Sequence, residues 1–168
     1  MRRWALRVLQ AMVLLLPAVG IYAWQTRDLL PDGSRDPAPA LELPVVQEGR
    51  SGGNEPVSRP AVLYFFAPWC GVCAASAPQL RWYERFLGDS TPLVLVALDY
   101  ESPQQVREWL ARHDLDSPVL LGDARTAEAY RIRGFPTYYV IDPQGRVAAR
   151  DYGFTTLLGL WWRTLWLG

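Results

Sequence analysis

The chain holds two cysteines, Cys70 and Cys73, three residues apart in Phe65-Phe66-Ala67-Pro68-Trp69-Cys70-Gly71-Val72-Cys73. Thiols at i and i+3 in the first turn of a helix are close enough to close a small disulfide ring. Their sulfurs also lie near the positive end of the helix dipole, which favours thiolate over thiol. Thiolate is the species that attacks a disulfide, so the pair points to dithiol–disulfide exchange. Two other chemistries compete for the motif. A zinc site needs four ligands, and beyond this pair the chain has a single histidine, His113, and no further cysteine. A purely structural bridge is the other alternative, although closing so short a loop restricts the unfolded chain little.

Chemistry of this kind needs a rigid platform, and the flanking pattern supplies one. Ala61–Phe66 is an apolar, aromatic run of strand type, ended by a short Pro-Trp turn, and Gly71–Leu87 reads as a helix interrupted by Pro78. Leu93–Leu98 is an uninterrupted apolar run, as expected for a strand buried on both faces. Ser102 and Pro103 open a helix to about His113, with serine as N-cap and proline at the first helical position. A short strand over Pro118–Leu121 and a short helix over Asp123–Tyr130 follow. Thr137–Ile141 and Arg146–Tyr152 are strands joined by the turn Asp142-Pro143-Gln144-Gly145. Thr155 to Leu167 closes the chain as a helix. The order βαβαβαββα predicts an α/β domain with helices on both faces of a mixed sheet, over residues 61–168.

Arg2, Arg3 and Arg7 precede Val8 to Thr26, 19 residues without a charge. At a rise of about 1.5 Å per residue this spans roughly 28 Å, close to the hydrocarbon thickness of a bilayer. Trp4, Tyr22 and Trp24 fall near its ends, where interfacial aromatics are expected. The arginines should stay cytoplasmic, which places the rest of the chain outside. Residues 1–30 are therefore read as a signal-anchor. A cleaved signal peptide, with Ala18-Val19-Gly20 as an imperfect processing site, is the alternative. Between Pro31 and Pro60 lie six prolines and four glycines with little apolar periodicity, a composition read as a tether. Within it, Leu41 to Val46 is placed as an edge strand or a lead-in to the domain. All 17 basic residues are arginine, and from residue 31 onward 13 of them face 16 acids, a net of −3 that offers no case for nucleic acid.

With these features in hand, residues 57–152 resemble the thioredoxin superfamily, and more closely its membrane-anchored, exported TlpA/ResA-like (redoxin) branch. The resemblance is carried by Trp69-Cys70-x-x-Cys73, the strand before it, and Ile132-Arg133-Gly134-Phe135-Pro136-Thr137 downstream. It implies a thioredoxin fold and no cofactor. It implies that Pro136 is a cis-proline beside the active disulfide, and that the main chain at Phe135 pairs with an extended substrate. Cys70 would be the nucleophile, with a pKa below the free value of about 8.5, and Cys73 the resolving thiol. Trp69 would form part of an apolar rim around the sulfurs, plain packing being its other reading.

The chain departs from the family pattern at two carboxylate positions. Tyr64 stands where thioredoxins usually carry a buried aspartate, and Ser76 where ResA-like proteins often place a glutamate. Glu84 and Asp99 are acids in the same half of the domain, with nothing in the sequence to aim them at the sulfurs. A peroxidase of the peroxiredoxin type needs Pro-x-x-x-Thr-x-x-Cys, and the matching positions are Leu63 and Ala67. His113 reads as a solvated helix-end histidine. The last helix presents Leu157, Leu158, Trp161, Trp162, Leu165 and Trp166 as one apolar face. That face is expected to cover the sheet, with contact to a bilayer surface or a membrane partner as the alternative.

Together these readings describe an exported thiol–disulfide oxidoreductase tethered at a bacterial inner membrane, its catalytic domain facing the periplasm. It would draw electrons from a membrane thiol donor and reduce disulfides of client proteins. The resemblance suggests clients such as apocytochromes or proteins of copper and oxidative-stress handling. A dithiol oxidase that forms disulfides is the alternative in the same chemistry. A non-catalytic binding module with an inert bridge is the alternative of another class.

Overall fold

The computed structural model describes residues 2–34, 36–47 and 60–165. Residues 48–59 of the tether reading, and Trp166 of the C-terminal apolar face, lie outside the described residues. The chain forms α1 (Arg2–Thr26), β1 (Val45–Gln47), β2 (Ala61–Phe66), α2 (Gly71–Leu87), β3 (Leu93–Ala97) and α3 (Pro103–His113). It continues through β4 (Val119–Leu121), α4 (Ala124–Ala129), β5 (Thr137–Ile141), β6 (Val147–Tyr152) and α5 (Leu157–Thr164). The strands make one mixed sheet in the order β1-β4-β3-β2-β5-β6. β2, β3 and β4 run parallel, while β5 lies antiparallel to β2, β6 to β5 and β1 to β4.

β2 sits in the middle, paired on both sides, and all six of its residues are buried. Strand alternation sends Val62, Tyr64 and Phe66 to one face and Leu63 and Phe65 to the other. The first face packs with Cys73, Ala77, Leu80 and Tyr83 of α2, Val106, Trp109 and Leu110 of α3, and Leu160 of α5. The second meets Tyr130 after α4 and the chain that follows α1. The β5–β6 turn closes as expected: Gly145 takes φ 79°, a region glycine enters freely, and Asp142 Oδ1 accepts the Arg146 N–H at 2.8 Å.

The segment read as a tether is, in its described part, a cover for the second face. Leu29 is buried there, with Leu30, Ala38, Leu41 and Leu43 packed against the same cluster. The Gly33 N–H donates to the Val147 carbonyl, that of Ala38 to Gly145, and that of Leu121 to Pro44. The Tyr130 hydroxyl donates to the Pro39 carbonyl at 2.6 Å. Scattered apolar residues and unpaired backbone groups found partners on the part of that sheet face that α4 leaves open, so the loose tether cannot begin at Pro31.

The apolar face assigned to the last helix also needs correction. Its buried residue is Leu160, outside the predicted set, whereas Leu158, Trp161, Trp162 and Leu165 are exposed by 73, 42, 59 and 47 %. A helix packed along α2 and the β6 side buries one narrow stripe, Leu160 with the partly buried Leu157 of the predicted set, while the four exposed residues face outward. Among the described residues, no helix is long and apolar enough to cross a membrane. Within α1, Met12, Val13, Leu14, Leu15, Leu16, Val19 and Ile21 are all exposed.

Candidate active site

β2 ends at Phe66, and the turn through Ala67, Pro68 and Trp69 is closed by the Cys70 N–H donating to the Ala67 carbonyl at 3.0 Å. Cys70 is then the N-cap of α2, with extended backbone at φ −74° and ψ 109°. The first N–H groups of a helix have no intrahelical acceptor, and caps ordinarily supply an oxygen. Here the acceptor is sulfur: Cys70 Sγ takes the Cys73 N–H at 3.1 Å. The two cysteines, 5.2 Å apart at Cα, are joined in a disulfide. Cys70 retains 6 % exposure and Cys73 none, while Gly71 and Val72 between them are exposed. Of the two, only Cys70 keeps any contact with solvent.

Parallel pairing of β2 with β3 brings their C-terminal ends together, Phe66 beside Ala97. The consequence is a link across 30 residues of chain. The Trp69 indole N–H donates to both the main-chain and the Oδ2 oxygen of Asp99, each at 3.0 Å. Asp99 adopts φ 50°, the left-handed region that costs a non-glycine residue energy and that aspartate tolerates best. Trp69, exposed but held at its nitrogen, meets Phe135 edge-on with ring centres 5.9 Å apart. Sequence inspection placed Asp99 in this half of the domain without a role. The only signal for one was that two adjacent parallel strands must end side by side.

The Phe135–Pro136 peptide is cis. Thr137 pairs with Phe65, so the register carried one step further sets Pro136 opposite Phe66, at the foot of the Pro-Trp turn. Two neighbouring carbonyls are already engaged: that of Gly134 by the Thr137 hydroxyl at 2.9 Å and that of Pro136 by the Gly153 N–H at 2.8 Å. Trp69, Phe135 and Pro136 thus gather around the edge at which Cys70 is exposed.

The two departures from the carboxylate pattern are physical ones. Tyr64 is fully buried, stacked between Phe66 and Tyr138, and its hydroxyl makes no hydrogen bond among the described residues. Burial, opposed by the nearby Ser76 hydroxyl, pushes its ionisation well above the ordinary tyrosine range. Ser76 is buried and donates to the Val72 carbonyl at 3.0 Å. Neither position offers an anion at neutral pH. Glu84 lies towards the other end of α2, where its carboxylate accepts the Ser117 N–H at 2.8 Å, and burial raises its pKa despite that bond. His113 packs on Trp109 at 4.5 Å, its pKa lowered by burial and then by Arg112. Leu63 and Ala67, at the peroxidase positions, are buried apolar residues.

The sequence pattern of the AhpC/TSA family matches residues 35–150. Among curated proteins, the chain is 26 % identical over 153 residues to the "Thioredoxin-like protein YneN" of Bacillus subtilis, covering 86 % of this chain and 89 % of that one. It is 27 % identical over 128 residues to the "Thiol-disulfide oxidoreductase ResA" of Oceanobacillus iheyensis, covering 73 % of this chain and 66 % of that protein. A solved structure of a thiol:disulfide interchange protein of the thioredoxin family from Chlorobium tepidum superposes with a TM-score of 0.66. That match is 22 % identical and covers 82 % of this chain and 100 % of the other, which establishes the thioredoxin fold.

Proposed function

This chain belongs to the AhpC/TSA family, and on that footing we propose that it is an exported, membrane-held enzyme that reduces disulfides in client proteins. It is a thioredoxin-like thiol–disulfide oxidoreductase built on the Cys70–Cys73 pair. The observation that carries the reading is the sulfur cap of α2. One sulfur is reachable and sits among helix N–H groups, and its partner one turn inward is sealed from solvent.

The steps follow from that asymmetry. In the reduced protein the Cys70 thiolate attacks one sulfur of a client disulfide; a new S–S bond forms, and the client's other sulfur leaves and takes a proton. Cys73, deprotonated, then attacks Cys70 Sγ, breaks the mixed disulfide and releases the second client thiol. The client gains two electrons, and the enzyme is left as the Cys70–Cys73 disulfide. A membrane thiol donor returns it to the dithiol. Trp69, Phe135 and Pro136 form the apolar rim on which the client chain rests. With Tyr64 and Ser76 in place of carboxylates, the Cys73 proton leaves to solvent or to the departing client thiolate.

Membrane attachment is supported by the uncharged stretch from Val8 to Thr26 within α1 and by the outward-facing apolar side chains along it. Export is supported by the arginines ahead of that stretch. Acid quenching and alkylation of cells tests the direction. A pair resting mainly as dithiol, with a reduction potential below that of the glutathione couple, is the expected result. A pair resting as disulfide would favour disulfide formation or an inert bridge instead.

A further inference from the structure

Only Arg27 and Asp28 separate the end of α1 at Thr26 from Leu29, which is already buried in the domain. No spacer therefore lifts the domain off the helix. The last turns of α1 run beside β6, and the Tyr22 hydroxyl reaches the Arg163–Asp151 ion pair that ties α5 to β6. Tyr22 shares an open concavity with Leu158, Trp161 and Trp162 of α5. The exposed aromatic face of α5 thus lies at the level of Tyr22 along α1.

That level has a meaning if α1 crosses a bilayer. Tyr22 stands four residues before Thr26, about 6 Å along a helix. The headgroup layer on each side of a bilayer is roughly 5–8 Å deep. With the uncharged stretch filling the hydrocarbon as far as Thr26, an element touching Tyr22 lies within about 6 Å of the boundary between acyl chains and headgroups, where amphipathic helices settle. We propose that Leu158, Trp161, Trp162 and Leu165 of α5 are inserted at that boundary of the membrane that α1 enters, fixing the domain against the lipid surface. The proposal rests on the reading of α1 as a span.

The chemistry of the face selects lipid as its occupant. Tryptophan and leucine on one side of a short amphipathic helix are the side chains that partition at the boundary of headgroups and acyl chains. The cations beside them are already engaged. Arg163 pairs with Asp151, and Arg150 pairs with Asp32 at 3.7 Å and donates to the Leu29 and Leu30 carbonyls. Attachment through this face therefore comes from apolar burial and needs no anionic lipid.

The test uses the full chain in phosphatidylcholine vesicles carrying shallow brominated acyl chains, with Trp4→Phe and Trp24→Phe to silence the α1 reporters. Flotation with the vesicles reads the anchor separately. The expected result is quenching of the remaining tryptophan emission, cut roughly in half or more when Trp161→Phe and Trp162→Phe are added, and unchanged by anionic lipid or salt. Intact disulfide exchange by the added variant shows that it folds. A floating chain whose quenching ignores those two substitutions overturns the proposal. So does a floating chain in which they are shielded by a cross-linkable second copy, or are quenched only on anionic vesicles. A chain that does not float overturns the anchor reading and this inference with it.

Discussion

Two helices of this domain begin with the same local device and put it to different ends. At α4, Asp123 has extended backbone, and its Oδ1 accepts the Thr126 N–H at 2.8 Å while Thr126 Oγ1 accepts the Asp123 N–H at 3.3 Å. At α2, Cys70 has extended backbone and its Sγ accepts the Cys73 N–H at 3.1 Å. Each cap satisfies an orphan donor at the positive end of a helix. The carboxylate is exposed and permanently charged near neutral pH, so its interaction ends with the cap. The sulfur is almost sealed, and its charge depends on whether it is bonded to Cys73. Reactivity at α2 thus grows out of an ordinary capping position by a change of one acceptor atom.

Replacing that atom gives the largest effect. Cys70→Ser turns the start of α2 into the oxygen-capped type that Ser102 provides for α3. The expected result is loss of disulfide exchange by at least about 10³-fold, read with a model protein disulfide, while the variant's stability stays within about 1 kcal/mol of reduced wild type in denaturant. Cys73→Ala should instead leave Cys70 reactive and stop after one attack, so that clients accumulate as mixed disulfides visible on a non-reducing gel. Exchange surviving in Cys70→Ser would remove the distinction between the two caps.

A second effect concerns charge. In the reduced protein the α2 cap should hold Cys70 as thiolate, with a pKa under the free value of about 8.5. Thiolate absorbance near the ultraviolet edge and the pH profile of alkylation both read it. Cys73, without exposure, should alkylate far more slowly. A Cys70 that titrated like a free thiol would mean that the α2 terminus supplies geometry alone.

Much of the platform under these caps was legible from residue type. The boundaries of β2, α2, α3 and β5 were readable because Ala61–Phe66 is apolar without a break, Ser102-Pro103 is an N-terminal signal, and Cys70 and Pro136 bracket the neighbouring elements. What stayed hidden is non-local. Leu29, Leu41 and Leu43 are isolated among prolines and glycines, so no periodicity announces that they cover a sheet face. The α5 sequence shows which residues are apolar but not which stripe the neighbouring α2 will occupy; Leu160 took it. The bond from Trp69 to Asp99 depends on which strands become neighbours, and neither residue carries that information alone.

The smallest effect isolates the oxygen cap. Hydrogen bonds from the Thr126 main chain and hydroxyl hold the Asp123 carboxyl below its usual range. A group whose folded pKa is depressed stabilises the native state above its unfolded pKa, and that contribution fades as pH falls through the folded value. Asp123→Asn keeps an acceptor for the Thr126 N–H but cannot titrate. The variant should therefore melt slightly below wild type at pH 7, and the gap should close below about pH 4, the region where carboxylates protonate. Because Asp123 is exposed, salt and solvent hold the difference to a few degrees. The gap between Cys70→Ser and reduced wild type should instead vary over the higher pH range in which the thiol titrates, because only the cysteine ionises there. A gap at Asp123 that ignored pH would mean that the α4 cap, too, acts through geometry rather than charge.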